Sequence, residues 1–334
     1  MPTTEVTLYT SIQPQLKRPV RGRDFGPAWQ RTCIESWKAA GFRIVSLNAP
    51  AEVEALRSLE PIVEFQQIAA DRKRPTITDF FAAMANSANR VVGIINGDCL
   101  IIQQMNLIDR LSRGIDGIAI VERLNIDQQT LRPSGRPCMG FDAFFFEPAS
   151  LARVKHDSFW LLGGWWVDYW LPFAFHTAGL KIWTLPARSL IHLDHDIPRA
   201  WGEDWNNATL RLTDFLLNAG KRGLLDPTLA KNLSSAARKD DRAALLQLLF
   251  FWLRSQESLW IPESGSADEL LTNMVNASAT FPQPLPHVLF YKWKAIVRQQ
   301  RNYLRLAMDA LGLRRTFYVL GLVKRRETDV VRKL

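Results

Sequence analysis

Val91-Val92-Gly93-Ile94-Ile95-Asn96-Gly97-Asp98-Cys99 is an apolar run that stops at a small polar cluster. It is short, rich in β-branched residues and without polar alternation, which suits a strand buried on both faces of a parallel sheet. Open parallel sheets meet their ligands at the carboxyl ends of their strands, so Asn96 and Asp98 stand where a ligand is expected. Gly97 lets the backbone approach closely. The same Asn-Gly pair is also a common turn, and these residues alone leave both readings open.

Working outward, Val6 to Tyr9 reads as a first strand. It runs through Thr10 and Ser11 into a loop that carries Arg18, Arg21 and Arg23. Pro27 opens a helix in which Trp29, Cys33, Trp37 and Ala40 recur every three or four residues, and Gly41 closes it. Phe42 to Asn48 is the next strand, which completes a βαβ unit. A second crossover covers Ala51 to Leu59, followed by a weaker strand at Ile62 to Gln66. Asp71-Arg72-Lys73-Arg74-Pro75 then precedes Thr78-Asp79, the expected cap of a helix from Phe80 to Ala85. Cations beside a helix N-terminus suit a phosphate, although a charged loop facing water has the same composition.

Beyond Asp98 comes the apolar stretch Leu100 to Ile102, and strands are expected at Gly117 to Val121, Gly140 to Phe146 and Lys181 to Pro186. Helices are expected at Met105 to Ser112 and from Pro148. Gly163-Gly164-Trp165-Trp166-Val167-Asp168-Tyr169-Trp170 lies within the densest aromatic segment. Trp165, Trp166 and Tyr169 could pack on sugar rings or build core; Asp168 among them is costly unless it has a partner or a task. His192-Leu193-Asp194-His195-Asp196 could ligate a metal or be polar surface. From Asp226 the pattern turns helical, and Pro282, Pro284 and Pro286 mark a linker.

At 334 residues and 47% hydrophobic, the chain can bury one large core or two ordinary ones. The N-terminus lacks the pattern of a signal peptide, and no uncharged apolar window approaches the ~20 residues of a membrane span. Cys33, Cys99 and Cys138 are expected as reduced thiols. Twelve Lys/Arg against three Asp/Glu fall in residues 287–334, so the whole net charge of +9 belongs to this tail. Aromatics and leucines accompany the charge, which favours an anionic membrane surface over a nucleic acid. The expectation is a cytoplasmic protein held peripherally at the inner face of the cell membrane.

With these residues placed in order, about residues 5–205 resemble a nucleotide-sugar glycosyltransferase of the GT-A type. Asn96-Gly97-Asp98 resembles the short acidic motif that ends a central strand in that family, with Asn in place of the first acid. The segment from Gly163 to Asp168 resembles the one that leads to the catalytic acid of inverting members. The resemblance implies an α/β fold, a GT-A-like Rossmann-type mostly parallel sheet flanked by helices, with a C-terminal helical region. It further implies a catalytic domain at 1–225, a helical extension and linker at 226–286, and a basic tail at 287–334. The implied activity moves a sugar from a nucleotide-sugar donor to a hydroxyl of a glycan or lipid-linked acceptor in surface polysaccharide synthesis. Asp168 would be the general base. Thr10, Ser11, Asp71, Arg72, Asn96 and Asp98 would meet the donor. Asp98 with His192 or His195 would hold Mn2+ or Mg2+, and Trp165, Trp166 and Tyr169 would position the acceptor. The alternatives are a sugar-nucleotide-binding protein without transferase activity and a sugar-1-phosphate nucleotidyltransferase. The latter needs a glycine-rich phosphate loop, and Thr10 to Pro19 contains no glycine.

Overall fold

The computed structural model describes residues 6–20, 23–102, 107–127, 139–185, 189–194, 202–238 and 241–257. His195, Cys138, the proline linker and the basic tail lie outside them.

The chain starts with strand β1 (Thr7–Thr10) and a two-residue hairpin, β2 (Pro19–Val20) and β3 (Arg23–Asp24). Helix α1 (Gly26–Ala39) follows, with Pro27 in its first turn, and Gly41 at φ +90° turns the chain back. Its apolar stripe buries Trp29, Cys33, Ile34 and Trp37. Strand β4 (Arg43–Asn48), helix α2 (Pro50–Ala55), a 3-10 turn (Arg57–Leu59) and strand β5 (Glu64–Gln67) form the second crossover. Helix α3 (Ile77–Ala85) is capped two residues earlier than expected. The N-cap is Thr76, and Asp79 closes a capping box by accepting from the Thr76 N–H at 2.8 Å. The expected strand is β6 (Val92–Ile95), buried throughout.

Strand β7 (Cys99–Ile101), helix α4 (Leu107–Ser112), strands β8 (Ile118–Glu122), β9 (Leu124–Asp127) and β10 (Phe141–Phe146), and a 3-10 turn (Pro148–Arg153) come next. Then follow helix α5 (Val167–Thr177), strands β11 (Ile182–Leu185) and β12 (Leu190–Asp194), and helices α6 (Gly202–Lys221), α7 (Pro227–Arg238) and α8 (Arg242–Arg254). Helical structure thus begins at Gly202, well before Asp226. Trp205, Ala208, Leu212, Leu216 and Ala219 supply the three- and four-residue spacing that packs α6 on the core.

The main sheet has seven strands in the order β11-β8-β10-β6-β1-β4-β5. It is mostly parallel; β10 alone runs against both of its neighbours. Helices cover both faces, and two apolar clusters fill the layers between. Helices α7 and α8 belong to the same cluster as the sheet, with the Phe250 and Phe141 rings 5.6 Å apart. No described helix is long and apolar enough to cross a membrane.

From β1 the chain adds β4 and β5 on one side, then returns to place β6 on the other side of β1. The carboxyl ends of β1 and β6 therefore flank the point where strand order reverses. That is where open α/β sheets leave a crevice for ligands. Three strands also hand over to a smaller sheet in the order β7-β12-β9: β6 leads to β7, β8 to β9 and β11 to β12. The small sheet is thereby built onto the same edge.

Gly93 in the middle of β6 has no room for a side chain. A Cβ there would lie 2.6 Å from the Phe145 ring and 2.9 Å from Leu8. The expected cost of Gly93→Ala is about 1–3 kcal/mol of overpacking, read as a lower urea midpoint with an unchanged slope.

Candidate active site

The carboxyl end of β6 is tied down from several directions. The Thr10 hydroxyl donates to the Ile95 carbonyl at 2.8 Å. Trp29 and Trp37 of α1 donate their indole N–H groups to the carbonyls of Asp98 and Cys99, each at 2.8 Å. Gly97 is needed because a Cβ would lie 2.8 Å from the Ser11 carbonyl oxygen, so the loops after β1 and β6 touch at the switch point. Thr10 is fully buried and holds two strands together rather than presenting its hydroxyl to a ligand. Ser11 is half-buried beside this turn.

Asp98 is half-buried and engaged. Arg18, eighty residues earlier, donates from Nη2 to Asp98 Oδ2. The same oxygen lies 3.3 Å from His192 Nε2, and His192 Nδ1 lies 3.2 Å from Asn125 Oδ1. His192 sits on β12 opposite Cys99 and Asn125, so the small sheet delivers it. Arg18 is in turn fixed by its own N–H bonding to Asp24 Oδ1 at 2.7 Å and by Nη1 to the Lys17 carbonyl at 2.8 Å. Side-chain exposure is 10% for Arg18, 17% for Asp98 and 7% for His192, so water screens this group little.

On the other flank of β6, Asn96 donates from Nδ2 to Asp142 Oδ1. Asp142 Oδ2 accepts from Arg123 Nη1 at 2.6 Å. Because β10 runs against β6, its first residues lie beside the last of β6, which is how Asp142 reaches Asn96. Asp168, in the first turn of α5, completes the group. A Cβ on Gly140 would lie 3.3 Å from both Asp168 Oδ2 and the Arg123 guanidinium carbon. Burial and the nearby Asp142 carboxylate raise the Asp168 pKa to about 7, against the opposing pull of Arg123 and the Phe141 N–H.

The turn into α5 is strained. Trp166 has φ 65°, and a bulky side chain there costs about 1–3 kcal/mol. Packing holds it: its indole N–H donates to Thr209 Oγ1 at 2.8 Å, and its ring lies 5.0 Å from Trp205 of α6. Gly163 at φ +67° brings the preceding loop against Asn96, whose Oδ1 would be 3.7 Å from a Cβ at that position.

The other expected site residues separate into two kinds. Trp166 and Tyr169 are buried, and the Tyr169 hydroxyl donates to the Met139 carbonyl at 2.8 Å, so both support the site from within. Trp165 is half-buried, its ring 4.3 Å from Trp205 and nearly perpendicular to it. Asp71 is exposed, and Arg72 pairs with Asp79 of the α3 capping box. Asp142, Arg123, Arg18 and Trp205 were not singled out from sequence as site residues. Only Asp142 carried a signal, as one acid in an otherwise apolar strand.

Among the described residues the donors near Asp98 do not fit a divalent cation. Asp98 Oδ2 already serves Arg18 and His192, the Asn96 amide nitrogen donates to Asp142, and a guanidinium beside the carboxylate repels a second cation. Among the described residues no three of His, Cys, Asp or Glu are grouped to hold a metal.

No family model and no curated protein matches the chain. Among solved structures, a mannosyltransferase from Pyrobaculum calidifontis in complex with GDP-Man and Mn2+ is similar at 12% identity and a TM-score of 0.43. That likeness covers 92% of this chain and 87% of the other. A nucleotidyl transferase from Methanothermobacter thermautotroptrophicus is similar at 11% identity and a TM-score of 0.37, covering 64% of this chain and 99% of the other. At these scores neither likeness decides an activity, and the functional reading rests on the site.

The raised Asp168 pKa has a consequence for stability. The folded chain keeps this proton up to about pH 7, whereas the unfolded chain releases it near 3.8, the ordinary value for an aspartate. The group therefore destabilises the fold progressively as pH rises between these values, and most fully above 7. Asp168→Asn is expected to raise Tm at pH 8 and to leave it unchanged below pH 4, measured by thermal melts across that range.

Proposed function

We propose that the chain is a nucleotide-sugar glycosyltransferase of the GT-A type that moves a sugar onto a hydroxyl of a glycan or glycolipid. The observation that carries this reading is Asp168: a carboxylate whose pKa is raised to about 7 beside Asp142, which in turn accepts from Asn96 at the switch point of the sheet. A base poised near the working pH suits removal of a proton from an alcohol.

In this reading the nucleotide diphosphate lies at the carboxyl ends of β1 and β6, and the acceptor approaches past the start of α5. The acceptor oxygen attacks the anomeric carbon as the bond to the diphosphate breaks, with the electron pair leaving on the diphosphate. The acceptor proton passes to Asp168. Burial, together with the Asp142 carboxylate held by Arg123 and Asn96, keeps Asp168 protonatable near pH 7. Attack from the face opposite the leaving group inverts the anomeric centre. Trp165, braced by Trp205, offers an aromatic surface for the acceptor. The basic tail keeps the protein beside an anionic membrane, which suits assembly of a surface polysaccharide at the inner face of the cell membrane.

Asp168→Asn is expected to lower kcat about 10²–10⁴-fold while donor Kd stays within about threefold. Unchanged turnover would remove Asp168 as the base. In the native protein, kcat/KM is expected to rise with pH through about 7. A chain ending at Pro286 is expected to lose sedimentation with anionic phospholipid vesicles, and undiminished sedimentation would contradict the role given to the tail.

A further inference from the structure

We infer that Arg18, and not a bound metal ion, supplies the positive charge that receives the donor's diphosphate. This rests on the nucleotide-sugar reading above and names what that site uses in place of a cation. Three observations carry it. The Arg18 guanidinium is held in the loop after β1, at the switch point, by its Nη1 bond to the Lys17 carbonyl and its pairing with Asp98. Its Nε is buried and has no hydrogen-bond partner among the described residues. Finally, Asp98 Oδ2 is already shared by Arg18 and His192.

A buried N–H without an acceptor is a standing cost that a ligand oxygen removes. A guanidinium also presents its donors in a planar fork matched to phosphate oxygens, which a point charge does not. Asp98 then acts as counter-ion to Arg18 while no ligand is bound, and the diphosphate competes with it for the same guanidinium. A divalent cation in this place would have to displace Arg18 from Asp98 and remain beside it. Among the described residues no three of His, Cys, Asp or Glu are grouped to hold one there.

The test is calorimetric titration of the full chain with UDP, GDP, ADP and dTDP, once in EDTA and once in Mn2+. One diphosphate is expected to bind in EDTA within about threefold of its affinity in Mn2+. Asp98→Asn is expected to keep that metal-free binding, because it removes the competitor and not the donor. Arg18→Lys is expected to weaken it at least tenfold. A loss in that variant could come from misfolding, so the double variant Arg18→Lys with Asp98→Asn is compared. It contains no uncompensated carboxylate at 98, and is expected to melt with the single Asp98→Asn variant yet bind weakly. Binding that requires Mn2+ and disappears in Asp98→Asn would overturn the inference and leave the transferase reading standing. Binding of no diphosphate under either condition would overturn that reading, and this inference with it.

Discussion

Two carboxylates and one guanidinium meet at the end of the central strand, and their charges do not balance. Asp142 accepts from Arg123 and from Asn96, so the cation is already committed when Asp168 arrives. The second acid then faces a like charge with little water to screen it, and holds its proton to about pH 7. The features of the site follow from bringing these groups together. The reversed direction of β10 sets Asp142 beside Asn96, the end of β8 presents Arg123, and the strained turn at Trp166 brings in Asp168. An ordinary helix entry would not need a tryptophan in the left-handed region. That strain is held by packing against α6 from more than thirty residues away in sequence.

The small sheet serves the opposite flank. By continuing from β6, β8 and β11, its strands carry His192 to Asp98, while the tryptophans of α1 hold the backbone of the turn. Asp98 and Asp168 thus stand at the two ends of one edge, joined by Asn96 and Asp142. One end is arranged around a buried cation, Arg18, and the other around a carboxylate that can lose and regain a proton. The first suits binding of an anion and the second suits activation of a hydroxyl.

Much of this architecture was legible in the chain. The β1-α1-β4 unit follows from the Trp29-Cys33-Trp37 spacing between two β-branched runs, and β6 follows from its unbroken apolar residues. The turn at Asn96 to Asp98 and the acid at 168 also stood out, because polar groups interrupt apolar stretches there. What could not be read is mostly long-range. Periodicity carries no strand direction, so the reversal of β10, and with it the Asp142–Asn96 contact, was hidden. Arg18 looked like one of three loop cations, since nothing local links it to a residue eighty positions on. Trp166 and Tyr169 looked like acceptor residues because composition cannot tell an aromatic lining from an aromatic support. The bond from the Thr10 hydroxyl to the neighbouring strand is likewise a long-range contact that local sequence does not show. Helix α6 was missed because its start follows a polar stretch of histidine and aspartate that drew attention to metal chemistry.

In the proposed reading the diphosphate lies at the carboxyl ends of β1 and β6, with Asp168 across the same edge. A crystal structure of the protein grown with a nucleoside diphosphate and without added metal tests it most directly. Phosphate oxygens are expected within hydrogen-bond reach of Arg18 and the Asn96–Asp98 turn, with an open approach to the Asp168 carboxylate. A nucleotide bound elsewhere on the molecule, or an Asp168 closed off from it, would contradict the account.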